Sequence, residues 1–217
     1  RGQYTSSHVG GVLKKSYIDE LDVNPESRTE TYVALKFFID NWRWGGVPFF
    51  IRTGKNLPTR VTEIVITFKH IPHPVFVKTS STQESKNQLI IRIQPDEGIA
   101  MRFGVKIPGI GFDVETTKMS FKYDQKDGIE LPSAYERLLH DCMNGDASLF
   151  TRGDAVNLAW QFVQPILDEW KNNPDFPLYG YPAGSWGPKE ATDLKLGYGE
   201  WRFPCKNLNS DGGYCEL

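Results

Sequence analysis

Between residues 31 and 123 the side chains change character at every second position, in one stretch after another. Thr31, Val33, Leu35, Phe37 and Ile39 alternate with Tyr32, Ala34, Lys36 and Phe38. Leu89, Ile91 and Ile93 oppose Ile90, Arg92 and Gln94, and Ile99, Met101, Phe103, Val105 and Ile107 oppose Arg102 and Lys106. A period of two, enriched in β-branched and aromatic residues, belongs to pleated strands, because successive side chains there point to opposite faces. Val47 to Arg52, Val61 to Lys69 and Met119 to Tyr123 continue the pattern, with Pro48 near a strand start where a missing donor is tolerated. Polar, turn-separated connections between these stretches predict a large, mostly antiparallel sheet, one face buried and the other less so.

After Gly128 the period lengthens. Ser133-Ala134-Tyr135-Glu136 forms a capping box ahead of Leu138, Leu139, Cys142 and Met143. Asp154 is expected to cap a second helix through Leu158, Ala159, Phe162, Ile166 and Trp170, kinked at Pro165. A short third helix is expected between Lys189 and Leu196. Strands first and helices later define an α+β fold, a broad sheet backed by helices. Residues 1–28 are Gly/Ser/Pro-rich and read as an extended connecting segment.

Lys and Arg total 25 against 27 Asp and Glu, so no global charge draws the chain to nucleic acid or a membrane surface. The longest apolar run, Val47 to Ile51, falls far short of the roughly 20 residues of a membrane helix. The three cysteines, Cys142, Cys205 and Cys215, do not make a disulfide framework and suit a reduced, cytoplasmic protein. Cys142, inside the helical pattern, is expected to be a buried inert thiol. The chain starts at Arg1 and lacks a strand-linked glycine loop for a dinucleotide, so it is expected to be part of something longer.

The densest basic cluster is Arg52, Lys55 and Arg60, around Gly54 and Pro58. Glycine permits close backbone approach, and two or three cations within nine residues suit a dianionic phosphate, although solvated loop charges would look the same. Arg92 and Gln94 share a strand face that extends such a site, or are surface residues. His70 and His73 have a metal-like spacing, but Pro72 and Pro74 forbid the helix it needs and no acidic or thiol partner is adjacent, so no metal is expected. His140 reads as structural, and Asp96/Glu97 and Asp168/Glu169 as surface charges. No general base is visible.

Several long, ordered motifs narrow this further: Arg1-Gly2-Gln3-Tyr4, Asp40-Asn41-Trp42-Arg43-Trp44-Gly45-Gly46-Val47-Pro48-Phe49, Arg52-Thr53-Gly54-Lys55, Ile93-Gln94-Pro95-Asp96-Glu97-Gly98, Ala134-Tyr135-Glu136-Arg137-Leu138-Leu139 and Ala183-Gly184-Ser185-Trp186-Gly187-Pro188. Together they make the chain resemble the carboxy-terminal half of the glucose-6-phosphate dehydrogenase family, in its bacterial form. Only the Cys205–Leu217 tail is unlike that family.

The resemblance implies one C-terminal domain over residues 1–217, with the Rossmann domain absent from this chain. It implies oxidation of D-glucose 6-phosphate to 6-phospho-D-glucono-1,5-lactone with reduction of NADP, the first oxidative step of the pentose phosphate pathway. The catalytic His, its orienting Asp, the cofactor loop and the His-Tyr-x-x-Lys motif all precede the Arg1 segment in the family, so no catalytic residue is expected here and the fragment alone should be inactive. Lys55 and Arg60 match substrate-contacting positions, and Gln94 matches one near substrate in some members. The sheet implies a homodimer or homotetramer. Animal members hold a second, structural NADP here. Arg52 and Arg92 match two of its arginines, but Val61 and Val65 replace basic residues, Ala100 a tyrosine and Trp186 an arginine, so no structural NADP is expected. Rival readings are a stand-alone module that dimerises or binds sugar phosphates without catalysis, and another sugar-phosphate oxidoreductase on the same plan.

Overall fold

The computed structural model describes residues 1–70, 86–94, 97–109, 111, 113–123 and 133–204. His73, Asp96, Cys205 and Cys215 lie outside the described residues. The chain divides into two compact units, one of residues 1–126 with 178–217, the other of residues 127–177.

The first unit carries the strands β1 (Gly2–Thr5), β2 (Ser7–Val9), β3 (Val12–Lys14), β4 (Tyr32–Phe37), β5 (Phe49–Gly54), β6 (Thr62–Thr67), β7 (Gln88–Gln94), β8 (Gly98–Lys106), β9 (Val114–Lys122) and β10 (Tyr179–Pro182). The alternating stretches become β4 to β9, as their period requires. They divide into two four-stranded sheets, in the order β10-β1-β4-β5 and β6-β7-β8-β9, with β2 and β3 forming a hairpin. Among the described residues every strand pairing is antiparallel except β1 with β10. Residues 1–28 are therefore not a mere connector. They supply β1, an inner strand, and a hairpin whose Gly10 and Gly11 take φ 58° and 80° at the turn. Their glycines and serines hid this, since β1 is only four residues long and alternates too briefly to register as a period.

Two cores hold the unit together. Tyr4, Tyr32, Tyr181, Ala183 and Ala191 form one, and Ile90 with Ala100 form the other, against Val65. The second settles which face of the β6–β9 sheet is covered. Ile90 pairs with Ala100 and Arg92 with Gly98, all buried. The opposite, more apolar face carries the register row Ile64, Ile91, Ile99 and Phe121, of which Ile64 is 50% and Phe121 42% exposed.

The second unit carries α1 (Ala134–Met143) and α2 (Gly153–Asn172). Ser133 caps α1 as read from sequence, its side chain accepting from Glu136 N–H at 3.2 Å. For α2 the cap position is Arg152 rather than Asp154, which sits in the first turn and pairs with the Arg152 guanidinium at 2.7 Å. Pro165 stands inside α2, which runs unbroken to Asn172. Neither helix holds a buried residue, and Cys142 is exposed rather than buried. Helical periodicity marks an apolar face but does not by itself cover that face. A short α3 (Glu190–Asp193) lies in the first unit. No described helix is long and apolar enough to cross a membrane.

Candidate functional site

The Arg52-Thr53-Gly54-Lys55 turn is reached along β5, whose register with β4 sets Arg52 opposite Ala34 and Gly54 opposite Tyr32. A Cβ at position 54 would lie 2.7 Å from the Tyr32 ring and 3.2 Å from the Thr31 carbonyl oxygen, so glycine is required by space. The close approach lets Lys55 N–H donate to that carbonyl at 2.8 Å. Asn56 follows at φ 47°, a left-handed conformation that Asn accepts more readily than most residues. Two bonds arrive from the far end of the chain. Tyr181 Oη donates to the Lys55 carbonyl at 2.8 Å, and Gly184 N–H donates to the Asn56 carbonyl at 2.6 Å.

The Lys55 main chain is thus bonded at both its donor and its acceptor, while its side chain is exposed and bonds no described residue. Arg60 is also exposed, two residues before β6. Gln94 is exposed at the end of β7, paired in register with Thr62. Antiparallel register places Arg60 and Gln94 at the same end of the β6–β7 pair, and residues 56–59 link that end to the β5 terminus. The three side chains do not bond one another. Two cations and a side-chain amide, none used internally, suit a phosphorylated polyol: the cations meet the phosphate oxygens, and the amide donates to or accepts from a hydroxyl.

The two neighbouring arginines are spent differently. The Arg52 guanidinium lies 5.0 Å from the Trp186 ring centre and 4.9 Å from those of Trp201 and Phe203. It also donates to the Arg202 carbonyl at 2.6 Å. Burial draws its pKa down, while Tyr32 and Glu63 pull the other way. Arg92 has a fully buried side chain and reaches Glu63 Oε2 at 3.5 Å, the same oxygen that Arg202 Nη1 bonds. Among the described residues no group of three or more His, Cys, Asp or Glu side chains is placed to hold a metal.

The family model for the glucose-6-phosphate dehydrogenase C-terminal domain matches residues 1–202. The chain belongs to the glucose-6-phosphate dehydrogenase family. It is 54% identical over 204 residues to glucose-6-phosphate 1-dehydrogenase of Aggregatibacter actinomycetemcomitans, covering 94% of this chain and 40% of that protein. To the enzyme of Treponema pallidum it is 49% identical over 220 residues, covering all of this chain and 42% of that protein. A solved glucose-6-phosphate dehydrogenase in complex with its substrate glucose-6-phosphate superposes with a TM-score of 0.76 at 33% identity, covering 93% of this chain and 40% of that one. The chain therefore spans about two fifths of the length of these glucose-6-phosphate dehydrogenases.

The sequence singles out Lys55, Arg60 and Gln94, all exposed, but not the residues that hold the Lys55 turn in place. Thr31 reads as one more strand residue, and Tyr181 as one of nine tyrosines among which nothing marks it out. Glu63, Trp201, Phe203 and Arg202 were equally silent, because their partners are distant in sequence. Gly54 and Gly187, in two separate motifs, both leave room for the Tyr32 ring, a match that only the structure reveals.

Proposed function

We propose that this chain is the substrate-binding and oligomer-forming part of an enzyme that oxidises D-glucose 6-phosphate to 6-phospho-D-glucono-1,5-lactone while reducing NADP. The observation that carries this reading is the Lys55 turn, with its main chain tied down at both ends and its ammonium left exposed. Lys55 and Arg60 bind the phosphate dianion and Gln94 a sugar hydroxyl, which fixes the ring for a reaction performed at C1. The solved relative that holds glucose-6-phosphate supports this assignment by its likeness to the chain. NADP, bound by an N-terminal domain outside this chain, supplies the hydride acceptor, and the general base that takes the C1 hydroxyl proton lies in that domain too. Residues 1–217 act together as the C-terminal domain, without a metal.

No second, structural NADP is part of this reading. Arg52 is boxed by three aromatic rings, Arg92 is buried on Glu63, and Ala100 and Val65 belong to the core around Ile90. Two arginines already engaged and three missing cations, at Val61, Val65 and Trp186, leave little to bind a dinucleotide polyphosphate. The β6–β9 sheet supplies the homo-oligomer interface, in keeping with its exposed Ile64, Ile99, Met119 and Phe121. The cytoplasm is its compartment.

The decisive measurement is Lys55→Ala in the full-length enzyme. Removing one charge-assisted contact should raise the KM for glucose 6-phosphate by about tenfold or more. An unchanged KM would make Lys55 an ordinary loop charge and overturn the assignment.

A further inference from the structure

A line of buried hydrogen bonds runs from β1 to the Lys55 turn. Tyr4 N–H, which can only donate, bonds Thr31 Oγ1 at 3.0 Å. The Thr31 hydroxyl proton is then available to Tyr181 Oη, 3.0 Å away. Tyr181 Oη has a single proton of its own, and two carbonyls compete for it: Thr31 at 3.1 Å and Lys55 at 2.8 Å. The bond to the Lys55 carbonyl is the shorter of the two, and we assign the proton to it. With the Tyr181 proton on the Lys55 carbonyl, Thr31 Oγ1 is the donor to Tyr181 Oη, and donation runs from Tyr4 through Thr31 and Tyr181 to Lys55.

The surroundings give this line weight. Tyr181 is fully buried and Thr31 8% exposed, with Tyr4 and Tyr32 packed around them. The Tyr181 ring meets Tyr32 at 5.4 Å and Tyr4 at 6.3 Å between centroids. A phenylalanine would fill the same space without burying a hydroxyl, and a buried hydroxyl is costly unless bonded. The bond that distinguishes tyrosine from phenylalanine here ends on the main chain of Lys55.

We infer that Tyr181 is a positioning residue: its buried hydroxyl, oriented by Thr31, holds the Lys55 main chain so that the lysine ammonium meets the substrate phosphate. This rests on the reading of Lys55 as a substrate contact. Lys55 itself cannot secure that orientation, since its side chain has no partner among the described residues. The hydrogen bond from Gly184 holds the next residue, Asn56, and leaves the Lys55 carbonyl to Tyr181 among the described residues.

The test is a double-mutant cycle in the full-length enzyme, with glucose 6-phosphate as the varied substrate. Tyr181→Phe should raise KM by about three- to tenfold, the size of one neutral hydrogen bond, and leave kcat within about twofold. On the Lys55→Ala background the same change should leave KM where it stands, because the side chain it positions is gone. Thr31→Val, which removes the donor to Tyr181 Oη, should act in the same direction and serves if Tyr181→Phe does not fold. A raised KM for Lys55→Ala with an unchanged KM for Tyr181→Phe overturns the positioning role alone. So does an equal rise in both backgrounds, which marks Tyr181 as a core residue acting on the whole domain. An unchanged KM for Lys55→Ala removes the substrate assignment first, and the positioning role with it.

Discussion

The ring of Tyr32 occupies the space that any side chain at Gly187 would need: a Cβ there would lie 2.4 Å from Tyr32 Cε2 and 2.9 Å from its hydroxyl oxygen. Gly54 meets the same ring from another side, at 2.7 Å. Tyr32 is 1% exposed and cannot swing away, so the two glycines, in two separate sequence motifs, are matched to one aromatic ring. Gly187→Ala should therefore destabilise the domain by about 2–4 kcal/mol, combining overpacking with strain at a φ of 104°. Gly197→Ala, at a φ of 81° with nothing within 4 Å of the added methyl, should cost only about 1 kcal/mol. Denaturant unfolding of the two variants side by side checks the difference.

Glu63 serves two arginines at once, Arg92 and Arg202. Glu63→Gln keeps the shape and removes the charge, leaving two guanidinium groups facing each other across an amide. A loss of about 3 kcal/mol is expected, because the Arg92 side chain is fully buried. Arg202→Ala removes the less deeply buried partner and should cost about 1 kcal/mol, since Glu63 keeps Arg92. Equal losses for the two variants would contradict this order.

Burial raises the phenol pKa of Tyr4, Tyr32 and Tyr181 above the ordinary value near 10, with the Arg52 charge opposing the shift at Tyr32. The folded state therefore holds these protons more tightly than the unfolded chain. The stabilisation is complete below about pH 10, where both states are protonated, and it is lost as pH rises through the raised folded values. Alkaline unfolding should coincide with a cooperative rise in tyrosinate absorbance rather than a gradual titration. A smooth titration with the fold intact would show these phenols to be accessible.

The purified 217-residue chain should reduce no NADP with glucose 6-phosphate, because base and cofactor site lie elsewhere in the proposed enzyme. Added NADP should also leave its melting temperature unchanged, whereas a site filled to a hundred times its Kd would stabilise by about 2.7 kcal/mol. Turnover would sink the placement of the base, and a clear shift would restore a structural NADP site.

Much of this was legible in the sequence because it is local. The alternation in β4 to β9 and the Ser133 box are written in neighbouring residues, and the structure bears both out. The turn at Gly54 was legible for the same reason. Elsewhere the local signal was too short or pointed the wrong way. β1 and β10 are four residues each, and pair across bonds such as Thr5 Oγ1 to the Tyr181 carbonyl, 176 positions apart. Cys142 and the caps of α2 depended on what lies beside the helix, which periodicity does not report.

The amino-acid sequence by itself determined strands β4 to β9, the α1 cap and the family, since each rests on residue types at fixed short spacings. Only the tertiary structure decided which face of the β6–β9 sheet is covered, that Glu63 is shared by two arginines, and that Tyr181 reaches the Lys55 turn. Alternation names two faces but does not choose between them. That choice is made by packing and by hydrogen bonds between residues far apart in the chain, whose energies no short window of sequence contains.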